Sequence, residues 1–110
     1  MKIKELAERL GFEVLAMPSP ELEAEGGYAG DLLSWVMGRA EEGNVWVTIM
    51  TNINVLAVAS LAGVSAVVVA EGAEIDGEIV EKAKEQGINL LRSRTPVFET
   101  VLAVGREMGL

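Results

Sequence analysis

Apolar residues at Ile3, Leu6, Ala7 and Leu10 recur at i, i+3, i+4 and i+7, with charged residues between them and Gly11 behind. That spacing predicts a one-sided helix over 2–10 closed by a glycine C-cap. Phe12–Ala16 reads as a short strand. Met17–Gly27, with its prolines, alternating glutamates and Gly pair, reads as the one extended loop. Asp31 reads as the N-cap of a helix over 32–40, whose wide apolar face holds Leu32, Leu33, Val36, Met37 and Ala40. Val45–Met50 is apolar except for Thr48, the pattern of a strand covered on both faces. A helix over about 54–62 is apolar all round apart from Ser60, so it calls for cover on every side, from the sheet and from something else. Gly63 caps it, and Ala66–Ala70 is the next buried strand. Asp76 opens a helix over 77–86 with Ile79, Val80 and Ala83 inward and Glu78, Glu81, Lys82, Lys84 and Glu85 outward; Gly87 closes it. Ile88–Leu91 is a strand. Thr95-Pro96, a cap followed by proline at the first helical position, starts a last helix reaching about Met108. That helix is apolar on two sides through Val97, Phe98, Val101, Leu102, Val104 and Met108. Strands alternating with helices over short connections predict an α/β fold: three layers, a mostly parallel β-sheet flanked by helices, one domain over 1–110.

The run from Gly43 to Ala70 carries no charge, which raises a membrane span as the alternative. From Val55 to Ala70 a helix at about 1.5 Å per residue would reach roughly 24 Å, short of a hydrocarbon core of about 30 Å. Its neighbours are Glu41, Glu42 and Glu71 with no flanking Lys or Arg, so the positive-inside signal is missing. The β-branched clusters at Val45–Ile49 and Val67–Val69 fit strands. The run is expected to be the central strand–helix–strand unit, with no membrane partner.

A formal net charge of -8 argues against nucleic acid as a partner, since phosphate binding draws on clustered Lys and Arg. No signal-peptide pattern occurs in MKIKELAERLGF and there is no cysteine, so a cytoplasmic location is expected. The chain has no His and no Cys. That excludes Ser-His-Asp and Cys-His catalysis and zinc sites built on imidazole or thiolate. Neither a P-loop nor a Rossmann glycine string is present. Any catalysis would rest on carboxylates, Lys, Arg, Tyr28 and hydroxyls; the expectation is a non-enzyme without cofactor or metal.

In open α/β sheets ligands sit beyond the carboxyl ends of the strands. Thr51-Asn52-Ile53-Asn54, Glu71-Gly72 and Arg92-Ser93-Arg94-Thr95 occupy such places. Two arginines, amides, hydroxyls and helix N-termini suit a phosphate or carboxylate, so Thr51, Asn52, Asn54, Arg92, Ser93, Arg94 and Thr95 form one candidate site for an anionic metabolite or nucleotide. The plainer reading makes the same residues helix caps and a solvated loop. Tyr28 and Asp31, in the Gly-rich EGGYAGD, are a further candidate, beside Asp31 as a simple N-cap. Glu21, Glu23 and Glu25 alternate without the spacing of a calcium loop and read as a solvated acidic segment. Trp35 and Trp46 are expected in the core or at an interface, with a partner for any buried indole N–H.

The stretches EGGYAGDLLSWVMGRAEEGNVWVTIMTNINVLAVASLAGVSAVVV and EKAKEQGINLLRSRTPVFETV resemble stand-alone DRTGG-domain proteins over nearly the whole chain. The likeness lies in the layout, a Gly-rich turn into D-L-L-S-x-V-M, then V-W-V-T-I, T-x-x-N and A-K-E-x-G-I-x-L-L. The literal Asp-Arg-Thr-Gly-Gly string is absent, and relatives often carry His at the position of Asn52. The resemblance implies a fold similar to the N-terminal domain of HPr kinase/phosphorylase, whose P-loop lies in another domain. It implies a regulatory and dimerisation module, with a second copy and another metabolic protein as partners. Short members of the family occur beside iron-only hydrogenase genes, which implies a metabolic or redox setting.

Overall fold

Five strands and five helices make up the computed structural model, which describes residues 1–110. In chain order they are α1 (Ile3–Leu10), β1 (Glu13–Ala16), β2 (Gly27–Ala29), α2 (Leu33–Arg39), β3 (Val45–Thr48), α3 (Asn54–Ala62), β4 (Ala66–Val69), α4 (Gly77–Gln86), β5 (Leu90–Arg92) and α5 (Val97–Glu107). One sheet holds the strands in the order β1-β5-β4-β3-β2, parallel except for β1. β3 and β4, buried at every position, form its centre. The three-layer α/β fold is as the sequence pattern predicts.

Alternation of side chains along β3 and β4 divides the core in two. Trp46, Val67 and Val69 point toward α2, α3 and α4; Val45, Val47, Ala66 and Val68 point toward α1 and α5. The uncharged run is therefore the spine of the domain, and no helix is long and apolar enough to cross a membrane. Cover around α3 is incomplete within one chain. Val55, Leu56, Val58 and Ala59 are buried, but Ala57 and Ser60 are exposed and Leu61 is 73% exposed.

Three local readings are corrected. Gly27–Ala29, read as a Gly-rich turn, is an edge strand in parallel register with Val45–Val47. Asp31 is not a helix cap: Leu32 holds the N-cap position, and the Asp31 carboxylate accepts hydrogen bonds from the Thr48 hydroxyl (2.7 Å) and the Ile49 N–H (2.9 Å). It thereby joins the ends of β2 and β3. Pro96 takes the N-cap position of α5 in place of Thr95, because the Thr95 hydroxyl is engaged with its neighbours Ser93 and Thr100.

Met17–Gly27 is strapped down along α1. The N–H groups of Ile3 and Lys4 donate to the carbonyls of Leu22 and Pro20, and Ala24 N–H donates to Met1. Glu21 pairs with Lys2 (2.6 Å) and Lys4 (2.8 Å), and Glu23 with the amino terminus (2.9 Å). Hydrogen bonds from Lys2 and then Lys4 hold the Glu21 carboxyl down to about 2, and the Glu21 hydrogen bond raises Lys2. Asn89, 1% exposed, fixes the other end of the strap: its Oδ1 accepts from Ser19 N–H (2.9 Å), and its Nδ2 donates to the carbonyls of Ser19 (2.7 Å) and Ser65 (2.9 Å).

Candidate functional site

The carboxyl ends of β2–β5 share one edge of the sheet, and antiparallel β1 brings Glu13 to it opposite Arg92. Beside β5 a cavity of about 550 Å³ opens between the end of α1 and the first turns of α5. Its walls are Leu10, Phe12 and Ala103 with Glu13, Arg92, Ser93, Arg94, Thr95, Glu99 and Thr100. That size lies within the range of small-molecule sites, about 300–1,000 Å³.

The two arginines are already engaged. Arg92, with a side chain 14% exposed, grips Glu13 through Nε and NH2 and donates through NH1 to the Ala73 carbonyl. Arg94, far more exposed, reaches the same carboxylate at 2.9 Å. Hydrogen bonding from Arg92 holds the Glu13 carboxyl below the usual carboxylate range, aided by the charges of both guanidiniums. Glu99 also lines the wall, without an ion pair to either guanidinium. The positive spot expected from the arginines alone is thus neutralised in part by Glu13, which folds in from β1.

The N-terminus of α5 is occupied as well. Glu71 is the only non-glycine residue with positive φ (65°), and its carboxylate accepts the Val97 N–H at 2.9 Å. A carboxylate at a helix N-terminus satisfies an orphan donor and meets the positive end of the helix dipole. The N–H groups of Glu71 and Gly72 donate to the carbonyls of Thr95 and Ser93, lacing the two loops together. Beneath them the hydroxyls of Ser93, Thr95 and Thr100 form a closed triangle with sides of 2.8, 2.9 and 3.0 Å.

Thr51–Asn54 stands apart. Asn52 Oδ1 accepts the Asn54 N–H at 2.9 Å, a local turn. Thr51 and Asn52 line only a small crevice of about 10 Å³ on the α3 and α4 side, with Val55, Ile75 and Ile79. The Arg92–Thr95 cavity opens on the α1 and α5 side, and no cavity is lined by both loops. Tyr28 packs toward the α2 and α3 core and lines a separate apolar groove at β2; Asp31 lies exposed at the β2–β3 end. Glu13, Glu99 and Thr100 escaped the sequence reading, which placed Glu71 at a strand end but not as the cap of α5. Glu13 had a signal, a lone charge in the otherwise apolar FEVLA, and Thr100 had another, a hydroxyl four residues before buried Val104. Glu71 had none, because its role depends on the β4–α4 turn.

No family model matches the chain, and no curated protein matches it in sequence. Among solved structures it is similar to the CBS and DRTGG domains of the regulatory region of a Clostridium perfringens pyrophosphatase, crystallised with the activator diadenosine tetraphosphate. The TM-score is 0.74 at 15% identity, over 93% of this chain and 45% of that one. This chain therefore spans less than half the length of that structure, and what the two share is a fold.

Proposed function

We propose that this domain is a non-catalytic regulatory module that works as a homodimer in a cytoplasmic metabolic system. The observation that carries the reading is the outer face of α5, where Phe98 is 74% exposed, Leu102 39% and Val101 38%. A run of large apolar side chains on one helix face is costly to leave in water, and such surfaces mark interaction sites. The regulatory setting of the pyrophosphatase domains with the same fold supports it, as does a chain without His or Cys. Sedimentation at micromolar concentration is expected to give a dimer; monomer throughout that range overturns the self-association part. Pull-down from the native cell tests the metabolic setting, the hydrogenase connection included: recovery with enzymes of that system is expected, and recovery of none contradicts it.

The cavity beside β5 favours a second reading, a sensor of an anionic metabolite or nucleotide. Arg94, its side chain 70% exposed, supplies free donors once Glu13 yields, and the solved neighbour was crystallised with a nucleotide activator. A ligand at about 100 times its dissociation constant adds about 2.7 kcal/mol of stability, so a thermal-shift panel of nucleotides and acyl phosphates is decisive. A shift abolished by Arg92→Ala with Arg94→Ala supports the sensor, and no shift with any member removes it.

A further inference from the structure

The surface of α5 complements itself, and we infer that two copies of this chain associate by packing their α5 helices antiparallel about a twofold axis passing between Leu102 and Ala103. This rests on the homodimer reading above and names its interface.

The first observation is charge. Glu99 and Arg106 are both exposed, and neither forms an ion pair within the chain. They lie seven residues apart, two helical turns, on the same flank of the exposed face. In an antiparallel pair centred between residues 102 and 103, position 99 of one helix meets position 106 of the other. Each Glu99 then faces an Arg106 of the second copy, twice by symmetry, in a chain whose net charge of -8 otherwise opposes self-association.

The second observation is shape. The layer of α1 and α5 covers a five-stranded sheet with two helices, and toward β2 it leaves an apolar groove of about 130 Å³. Gly27 and Ala29 form its floor, and Val101, Gly105 and Met108 form its α5 wall. Phe98 is the most exposed aromatic side chain of the molecule. The register that pairs the charges sets Phe98 of one copy opposite position 107 of the other, beside Gly105 and Met108 at the mouth of the groove. Gly105 carries no Cβ, and the Leu110 side chain, whose Cβ lies 4.0 Å from that position, shares the mouth of the groove that the ring meets. Knob, hole and both charges fall in one register, so a second copy is the occupant that fits.

Charge reversal tests this register. Glu99→Arg and Arg106→Glu, each a surface change, are compared with the double variant by sedimentation equilibrium, with circular dichroism to verify the fold. Each single reversal sets like charges opposite one another twice and is expected to weaken the dimer about tenfold or more. The double variant restores opposite charges and is expected to return to within about threefold of wild type. A dimeric wild type with unaffected single variants overturns the α5 surface and leaves the homodimer reading standing. Weakened single variants without rescue in the double overturn the antiparallel register. A monomeric wild type overturns both.

Discussion

Helices α4 and α5 are nearly equal in length and do the same internal work, each laying one buried stripe against a face of the sheet through Ala83 or through Thr100 and Val104. Their outer faces differ completely. α4 presents Glu78, Glu81, Lys82, Lys84 and Glu85 to water, whereas α5 presents Phe98, Val101 and Leu102 with only Glu99 and Arg106 among them. The inner stripe reports what the fold requires. The outer face reports what the molecule does once folded, and of these two helices it is α5 that departs from the solvated pattern.

The largest expected effect strikes the sheet on which both helices lean. Trp46 is fully buried and its indole N–H donates to the Gly30 carbonyl at 2.9 Å. Trp46→Ala removes a large core side chain and that bond, so a loss of about 3–5 kcal/mol in urea unfolding is expected. A loss under about 1 kcal/mol would mean that the two layers fold without this centre. Next come the helix starts, where the comparison sharpens. Glu71 caps α5 from a distant loop, while Asp76 at the start of α4 makes no side-chain cap bond. Glu71→Ala is expected to cost about 1 kcal/mol, and Asp76→Ala clearly less; equal melting temperatures for the two variants would refute the assignment of Glu71.

On the outer face of α4, Glu81 and Lys84 form an exposed pair at 3.3 Å. Glu81→Gln should change stability by no more than about 0.5 kcal/mol and leave the association state untouched. A change in sedimentation would erase the contrast with α5. The smallest effect is in pH. Glu21 falls from an ordinary value of 4.5 to about 2 in the folded chain, so it binds fewer protons folded than unfolded at intermediate pH. Its contribution is complete above about pH 4.5 and fades as pH falls toward about 2. Glu13 acts in the same direction. Urea midpoints should decline through that window, less steeply for Glu21→Gln and less steeply in high salt, since the Lys2 and Lys4 partners are exposed. A midpoint independent of pH there contradicts the pairing.

The sequence announced what depends on period and caps. Every helix and the central strands follow from apolar spacing, and Gly11, Gly63 and Gly87 close α1, α3 and α4 in the left-handed conformation, as their positions predict. What it concealed depends on distant partners. β2 is three residues long and takes its identity from β3. Asp31 looks like a cap until Thr48 and Ile49 claim its carboxylate. The two candidate loops were legible one by one, but their opening to opposite sides of the sheet was not, because strand order and crossover side are tertiary facts. The arginine pair was visible, and its neutraliser, Glu13, lay far back in the chain on β1.

One measurement sets the two helices against each other directly. The chain has no cysteine, so a single one introduced on an outer face reports that face alone. Leu102→Cys on α5 and Lys82→Cys on α4, treated at micromolar concentration with an oxidant or a short bis-maleimide, should differ sharply. Covalent dimer from Leu102→Cys and little from Lys82→Cys is the result expected of a twofold axis beside Leu102. Equal yields from the two positions, or capture through Lys82→Cys alone, would contradict it.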